Sequence, residues 1–333
     1  MTGLTDRLHA ALPIWPTRAV PTGAMQAFVA RLGAATATIC CLSLVLTIPL
    51  STIARADIQV TDALGNPLTL PQTATRIVSL APHITEIVFA AGAGKYLVGT
   101  VNYSNYPAAA RAIPQVGSHE NINYETLLSL KPDLVLAWHS GNGEEVVSRL
   151  RSFGLNVFVS EARQLDDVAH SLRDVGRLSG TTTTAETAAS AFENKLQQLR
   201  QRYSTQAPLG VYYQIWNEPL LTLNADHLIS DVIRLCGGRN VFADAIPLVS
   251  RISVESVIRA DPQVIVASGM DEARPEWLDT WRQWGSIAAV KNGQLYFIPP
   301  DLLQRHTPRI IQGAQMLCDY LHQARQYYVR QGS

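Results

Sequence analysis

Short apolar runs alternate with helical patterns along most of the chain after about residue 57. TRIVSLAP (75–82) predicts a strand, TEIVFAAGAG (85–94) a helix closed by glycines, and YLVGTV (96–101) a second strand. EEVVSRLRSFGLNVFVS (144–160) repeats the order of helix, glycine and strand. Strands that alternate with helices of this length predict parallel sheets covered by helices on both faces.

A different pattern lies at 181–203, TTTTAETAASAFENKLQQLRQRY, which contains no glycine or proline. It predicts one helix of about six turns, with the threonines at its start. Its apolar positions at helical spacing are Ala185, Ala188, Phe192, Leu196, Leu199 and Tyr203. A helix of this length between two α/β halves is expected to act as a stiff spine.

The first half of the chain resembles the second. NYETLLSLKPDLVLAW (123–138) aligns with SVESVIRADPQVIVAS (253–268), which pairs Glu125 with Glu255 and Pro132 with Pro262. TEIVFAAGAG likewise resembles SDVIRLCGG (230–238). The repeat is too long and irregular for a solenoid and predicts two related lobes with a ligand cleft between them.

The predicted fold class is therefore α/β, with two Rossmann-like lobes of mainly parallel strands joined by one long helix. The predicted divisions are an N-terminal extension and signal peptide at 1–56, an N-terminal lobe at 57–180, the interlobe helix at 181–205 and a C-terminal lobe at 206–333.

The N-terminal segment has the features of an export signal. An apolar stretch from Leu32 to Leu50 follows Arg31, and Ala54 with Ala56 forms an A-x-A cleavage site. Cleavage before Asp57 is expected to release the protein into the periplasm, and Met25 gives a better-shaped start than Met1. The alternative is a retained membrane anchor, since the run is nearly long enough to span a bilayer.

The cysteine content agrees with export, and the net charge limits the classes of partner. Once the signal is removed, Cys236 and Cys318 remain, and an even pair in an oxidising compartment predicts one disulfide, with two buried thiols as the alternative. The formal net charge is +0, which gives no electrostatic reason to expect nucleic acid or an anionic membrane as a partner.

Sequence motifs give no support to an enzyme. AAGAGKY lacks the glycine spacing and the hydroxyl residue of a phosphate loop, and neither G-x-S-x-G nor H-E-x-x-H nor C-x-x-C occurs. The eight histidines show no metal-ligand spacing. The prediction is a binding protein without a catalytic residue, a metal site or a cofactor of its own.

The residues NYSNYP (102–107), AWHSGN (137–142) and DLLQRHTPRII (301–311) resemble the cobalamin branch of the helical-backbone substrate-binding proteins of ABC importers. RIVSLAPHITEIVFAAGAG and RLCGGRNVF share features of the wider group, which also carries ferric siderophores and haem. The resemblance covers about 60–325. It implies a corrinoid held in the cleft as a transported ligand and delivery to a permease pair driven by an ATPase, with the binding protein a monomer.

The resemblance also implies roles for individual residues. Tyr103 is expected to lie against the corrin, and Trp138 beside the same cleft. The position of Tyr106 next to Pro107, apart from the resemblance, predicts that it packs the turn in place. The facing loop of the second lobe comprises Asp301, Leu302, Leu303, Gln304 and Arg305. Cys236 and Cys318 match the disulfide pair of the family.

Glu125 and Glu255 match two acidic residues, one per lobe, that are expected to meet arginines on the permease. Their places in the internal repeat suit a permease pair with two-fold symmetry. A simpler role is helix capping, since Asn123 and Ser253 have the sequence features of N-caps and an acid in the first turn favours the helix dipole.

The chain departs from the family at several cleft positions. His119 stands where the family has a tryptophan, Leu221 and Leu248 replace aromatic residues, and His83 occupies a cleft loop. Fewer rings offer less stacking area. Either His83 or His119 could ligate the metal of a ligand or only form hydrogen bonds, which keeps haem or a siderophore as the alternative ligand.

The tryptophans of the second half have a structural interpretation. Trp277, Trp281 and Trp284 fall at the spacing of one helix face and are expected to pack in the core. Trp216 follows a strand and could point either to the cleft or to the core.

Overall fold

The computed structural model describes residues 57–203, 205–269 and 273–331. The predicted signal sequence and the alternative start at Met25 lie outside these residues. In the described ranges, no helix combines the length and apolar character that crossing a membrane requires.

The N-terminal lobe consists of six strands and four α-helices. Its strands are β1 (Ile58–Thr61), β2 (Pro67–Leu70), β3 (Ile77–Ser79), β4 (Leu97–Gly99), β5 (Leu134–Trp138) and β6 (Val157–Ser160). Its helices are α1 (Pro82–Ala90), α2 (Tyr124–Ser129), α3 (His139–Ser152) and α4 (Asp166–Ser179). The strands β1 and β2 pair antiparallel, and the other four form a parallel sheet in the order β4-β3-β5-β6.

The predicted spine is helix α5 (Thr182–Tyr203), 22 residues long. It buries Ala185, Ala189, Phe192, Leu196, Leu199 and Tyr203. The sequence pattern put Ala188 on this face, but the neighbouring Ala189 is buried in its place, while Ala188 is partly buried and packs against the core. The Tyr203 hydroxyl donates to Asp319 Oδ1 at 2.8 Å, which ties the end of the spine to the second lobe.

The C-terminal lobe repeats the parallel sheet and adds a small antiparallel one. Its strands are β7 (Leu209–Gln214), β8 (Trp216–Asn217), β9 (Leu220–Leu223), β10 (Gly238–Asn240), β11 (Val249–Arg251), β12 (Val264–Ala267) and β13 (Leu295–Phe297). Its α-helices are α6 (Leu228–Leu235), α7 (Val254–Ala260), α8 (Ala288–Lys291), α9 (Pro300–Leu303) and α10 (Ile310–Gln331). The parallel sheet has the order β10-β7-β12-β13, and the antiparallel sheet the order β11-β9-β8.

The two parallel sheets share one topology. In each, the second strand lies outside the first, the chain then crosses to the other side, and the third and fourth strands follow there. The aligned segments of the internal repeat form equivalent pairs, α2 with β5 and α7 with β12. The predicted α/β fold with paired lobes and a long helix is therefore confirmed, and both lobes belong to one compact unit.

A disulfide joins Cys236, directly after α6, to Cys318 in α10, as predicted. Both residues are fully buried. Next to them the Arg325 guanidinium donates to the carbonyl oxygens of Cys236 and Gly237, each at 2.7 Å. This cluster fixes α10 against α6 and the start of β10.

The tryptophan cluster packs in the core of the second lobe. Trp281 is 3% exposed, and Trp277 and Trp284 are partly buried against the same core. The segment Glu276–Gln283 that carries two of them is a 3-10 helix rather than an α-helix. Trp216 lies in the β8–β9 hairpin, where its indole donates to Glu218 O at 2.8 Å.

Candidate ligand-binding cleft

The carboxyl ends of the parallel strands carry the aromatic and polar side chains of the candidate site. Trp138 ends β5, His83 lies in the first turn of α1 directly after β3, and His306 follows β13 and α9. In both sheets the winding reverses between the first and third strands. A reversal of this kind leaves a crevice at the carboxyl ends of the strands, where ligands of open α/β sheets bind.

The NYSNYP loop presents Tyr103 on a fixed turn. Tyr103 has a φ of 65°, which is rare for a residue with a side chain, and the residue is 71% exposed. The Asn105 N–H donates to Tyr103 O at 2.9 Å, and the Thr85 hydroxyl donates to Ser104 Oγ at 3.1 Å. The first bond closes the turn and the second ties it to helix α1. Together they fix the backbone position from which the Tyr103 side chain projects.

Tyr106 has a different environment from Tyr103. The guanidinium carbon of Arg309 lies 3.9 Å from the centroid of the Tyr106 ring, a cation–π contact across the two lobes. Tyr106 is 46% exposed, so the two tyrosines differ in that the Tyr106 ring contacts a guanidinium of the other lobe, and the holding of the turn by Tyr106 stays a prediction.

A network of charged side chains spans the cleft. Glu86, on α1 of the first lobe, is 3% exposed. Its Oε1 accepts from Arg305 Nη1 at 2.8 Å and from Arg309 Nη2 at 2.6 Å, and its Oε2 accepts from Arg309 Nε at 2.8 Å. Asp301 pairs with Arg305 at 2.9 Å and with Arg309 at 3.5 Å. Two carboxylates thus balance two guanidinium groups.

Arg305 also bonds to the NYSNYP loop. It donates from Nη1 to Asn105 Oδ1 at 2.8 Å and from Nη2 to Tyr103 O at 3.2 Å. Burial is the largest single effect and lowers the pKa of Arg309, but the hydrogen bonds and charges of Glu86 and Asp301 together outweigh it and raise that pKa above its ordinary value. The network holds the lobes together through charge-assisted hydrogen bonds.

Aromatic and imidazole rings line the base of the cleft. The rings of His83 and Trp138 meet edge to face with centroids 5.0 Å apart, and His83 lies 5.6 Å from His306 of the other lobe. Burial is the main cause that lowers the pKa of His83 well below its ordinary value, and nearby His306 and Arg305 add to the effect. His83 is therefore neutral near pH 7.

Two further histidines come from the second lobe. His227 is the N-cap of α6, where its Nδ1 accepts from the Ile229 N–H at 3.1 Å, and its ring lies 5.5 Å from His306. Burial lowers the pKa of His227 to about 3, helped by His306. Burial likewise lowers the pKa of His306 to about 4, and Arg163 adds to the effect.

A cavity of about 270 Å³ lies between the lobes. It is lined by Trp138, Ser140, Glu161, Ala162, Arg163, His227, Leu228, Leu248, Val249 and His306. Leu248 thus lies at the cleft, whereas Leu221 is a partly buried residue of β9. The lining combines neutral imidazoles, an indole and aliphatic side chains with the Glu161–Arg163 ion pair at 2.9 Å.

His119 lies at the edge of this group. The centroid of its ring lies 6.0 Å from that of Trp138, with the two ring planes tilted by 40°. The His119 side chain is 40% exposed. Asn142 holds the backbone at His119 and Trp138 together. Its Nδ2 donates to the carbonyl oxygen of His119 at 2.8 Å, and its Oδ1 accepts from the backbone N–H of Trp138 at 2.6 Å.

The side chains of the segment from Asp301 to Arg305 have two kinds of environment. Asp301 and Arg305 belong to the interlobe network, and Gln304 donates to Ser268 O at 3.1 Å. Leu303 is fully buried in the hydrophobic core, and Leu302 packs against that core. The two leucines therefore anchor the segment to the hydrophobic core.

Glu125 and Glu255 occupy equivalent places at the starts of two short helices. Each is exposed and lies in the first turn of its helix, after the N-caps Asn123 and Ser253. The Asn123 side chain accepts from Thr126 N at 3.0 Å, and the Ser253 hydroxyl from Ser256 N at 3.3 Å. Hydrogen bonds from Ser253 and from its own backbone lower the pKa of Glu255.

Several residues of the cleft are not singled out by the sequence, among them Glu86, His227, His306 and Arg309. Glu86 could have been found, because it is the single acidic residue in the apolar helix PHITEIVFA, and a buried acid requires a partner. His306 and Arg309 lie within the quoted DLLQRHTPRII segment. His227 carried no signal, because its position in the cleft depends on how β9 and α6 pack. Among the described residues, no group of three or more His, Cys, Asp or Glu is placed to hold a metal ion.

Comparison with known proteins identifies the class. Residues 77–302 match the periplasmic binding protein family, and the chain belongs to that family. Vitamin B12-binding proteins are among its similar relatives. The one from Vibrio cholerae is 38% identical over 255 residues, 76% of this chain and 91% of the relative. The one from Yersinia pestis is 37% identical over 259 residues, 76% of this chain and 89% of the relative.

Solved structures agree with this assignment. The periplasmic vitamin B12-binding protein of Vibrio cholerae matches with a TM-score of 0.71 and 37% identity, covering 76% of this chain and 98% of that one. A periplasmic haem-binding protein from Roseiflexus matches with a TM-score of 0.65 at 24% identity, covering 75% of this chain and 99% of that one. The second match shows the shared fold alone.

Proposed function

We propose that this protein is the periplasmic binding component of an ABC importer and that it captures cobalamin or a related corrinoid in the cleft. The observation that carries the proposal is the 38% identity to a vitamin B12-binding protein over 91% of that protein's length. The exposed ring of Tyr103 and the ring of Trp138, at the carboxyl ends of two strands, support it. Both suit a broad ligand with apolar faces.

The ligand is bound without covalent chemistry by the protein and is carried as cargo. Tyr103 offers a ring face and a hydroxyl, and Asp301 and Arg305 offer charged hydrogen-bonding groups for the amide side chains of a corrinoid. We propose as ligand contacts Tyr103, Trp138, His83, His119, Asp301 and Arg305, and the ring contacts and hydrogen bonds among these residues support the proposal.

Entry of a corrinoid requires the lobes to separate. The cavity of about 270 Å³ is smaller than even a drug-sized ligand occupies, about 300–1,000 Å³. Separation breaks the bonds of Glu86 to Arg305 and Arg309, so these groups become available to the ligand. The continuous helix α5 limits the motion to a small amplitude.

Calorimetric titration tests the ligand class, with cyanocobalamin, haem and a ferric hydroxamate added to separate samples. We expect heat of binding with cyanocobalamin. Tight binding of haem together with no response to cyanocobalamin would reject the corrinoid and favour the alternative ligand.

Replacement of Tyr103 tests the proposed stacking contact. We expect Tyr103→Ala to weaken cyanocobalamin binding at least about tenfold, about 1.4 kcal/mol, because it removes a large ring contact. Tyr103→Phe is the matched control, since it keeps the ring and should retain most of the affinity. Equal affinity of Tyr103→Ala and the unchanged protein would contradict the contact.

Docking on the permease is proposed for Glu125 and Glu255. Both carboxylates are exposed, and both follow an N-cap at the same position of the internal repeat. Two equivalent acids, one per lobe, match arginines on two related permease subunits driven by an ATPase. Such docking uses one copy of the binding protein, which we propose acts as a monomer.

We also propose that the mature protein begins at Asp57 in the periplasm. The A-x-A pattern of Ala54 and Ala56 supports cleavage there. Mass spectrometry of the protein purified from the periplasmic fraction should give the mass of 57–333. Recovery from membranes with 25–56 attached would show an anchored protein instead.

A further inference from the structure

His306 is a buried imidazole whose Nδ1 is not satisfied by any group of the described residues. It is 7% exposed and lines the cavity, and its Nδ1 has no hydrogen-bond partner in the described part of the chain. A buried polar group left without a partner destabilises the folded protein, so a ligand atom that supplies the missing contact is favoured. Ring contacts with His83 and His227 surround His306 without supplying that hydrogen bond.

The neighbouring His227 shows what a satisfied histidine looks like in the same cavity. Its Nδ1 accepts from the Ile229 N–H at 3.1 Å, so in the neutral ring the proton is on Nε2. His227 is thereby fixed as a hydrogen-bond donor. His306 has no such constraint, and burial keeps it neutral with a lone pair available.

The backbone on both sides of His306 is held in place. Within the second lobe, the Gln304 side chain donates to Ser268 O at 3.1 Å, and the Arg305 guanidinium pairs with Asp301 at 2.9 Å. Beyond His306, the Thr307 N–H donates to Arg305 O at 2.8 Å, and Thr307 is fully buried. The imidazole is therefore preorganised at the cleft, as a ligand to a metal must be.

His306 lies at the junction of the two lobes. Its nearest ring from the first lobe, His83, has its centroid 5.6 Å away. When the lobes separate to admit a flat macrocycle, His83 stays with the first lobe and His306 with the second. The His306 ring is then uncovered toward the ligand.

We propose that His306 is an axial ligand to the metal of the captured corrinoid, an inference that rests on the proposed function. A ring nitrogen of His306 donates its lone pair to cobalt(III), and the water bound at that position leaves as water. The oxidation state of cobalt does not change, and no proton is transferred. Imidazole is the commonest protein ligand of metals of this series.

The consequence is a preference for corrinoids with an exchangeable axial water. Aquocobalamin has such a water, whereas in cyanocobalamin cyanide and the nucleotide base occupy both axial positions. Absorption spectroscopy is the readout, because replacement of water by imidazole changes the corrin bands. Binding in the cleft without coordination leaves the spectrum of the free corrinoid.

The test titrates the protein with aquocobalamin and, separately, with cyanocobalamin. We expect aquocobalamin to bind at least about tenfold more tightly and its bands to shift to those of the imidazole adduct, with no shift for cyanocobalamin. In His306→Ala and His306→Gln the band shift should disappear and the affinity ratio should fall toward one. His322→Ala changes an exposed histidine of α10 and should keep both effects.

The outcomes separate this inference from the proposed function. If the unchanged protein binds neither corrinoid, the proposed function fails. If it binds both with unshifted spectra, coordination by His306 is wrong and the proposed function stands. A shift that survives in both His306 variants but is lost in His83→Ala would assign the ligand to the other lobe and overturn the inference.

Discussion

Glu86 shows at the scale of one residue how a buried charge is accommodated. An isolated carboxylate in an apolar helix is costly to desolvate, so its burial requires partners. Arg305 and Arg309 together donate three hydrogen bonds to its two oxygens. All three come from the other lobe, which makes the charge on Glu86 a determinant of lobe contact rather than of local helix stability.

Glu86→Ala is expected to lower the free energy of unfolding by about 3 kcal/mol, because it leaves two guanidinium groups facing one remaining carboxylate. Urea denaturation followed by circular dichroism measures the change. Glu145→Ala, an exposed acid on α3, is the control and should stay within about 0.5 kcal/mol of the unchanged protein. A loss as small as that of the control would show that the network contributes little.

At the scale of the element, α2 and α7 are short helices with the same start. Each has a side-chain N-cap followed by one exposed glutamate in the first turn. Capping and the helix dipole explain an acid at this position. They do not by themselves require the same exposed acid on both lobes, and docking supplies a reason for the pair.

The double variant Glu125→Ala with Glu255→Ala separates the two roles. We expect unchanged cyanocobalamin affinity and a loss of uptake of at least about tenfold, since two charge-assisted contacts to the permease are removed. Uptake of labelled cobalamin by cells that depend on this protein is the measurement. The pair Glu145→Ala with Glu276→Ala removes one exposed acid from each lobe and serves as control.

Normal uptake by the Glu125 and Glu255 double variant, combined with reduced thermal stability, would leave capping as the role of both residues. Weakened cobalamin binding in that variant would place the effect at the cleft instead of at the permease.

At the scale of the whole molecule, folding buries histidines that titrate near neutral pH in an unfolded chain. Burial lowers the pKa of His227 to about 3 and that of His306 to about 4. Below about pH 6.5 the unfolded chain binds protons that the folded protein does not. The free energy of unfolding therefore falls as the pH drops from about 6.5 toward about 4.

His227→Asn tests this pH dependence, because asparagine keeps a side-chain oxygen for the Ile229 N–H and does not titrate. Between pH 7 and pH 5 we expect the variant to lose roughly 1 kcal/mol less stability than the unchanged protein, a value reduced for the partial exposure of His227. Urea denaturation at both pH values measures it. His322→Asn, at an exposed site, should follow the unchanged protein; equal slopes for all three proteins would contradict the prediction.

Much of the fold could be predicted from the sequence, because it depends on patterns of residues that are close together along the chain. Apolar runs, glycines and helical spacing predicted the alternating elements and the spine at Thr182–Tyr203. The aligned segments predicted two related lobes, which the shared strand order confirms. The cysteine pair predicted the disulfide between Cys236 and Cys318. The domain boundaries and the roles of the cleft residues stay predictions.

Tertiary structure alone decided which side chains meet in the cleft. Glu86 and Arg309 are 223 positions apart and pair only because the lobes close on each other. His83, His227 and His306 come from three separate segments and share no spacing that the sequence could reveal. The sequence determined periodicity, caps and the repeat, since these depend on neighbours along the chain. The site depends on packing between distant segments, and that information exists only in three dimensions.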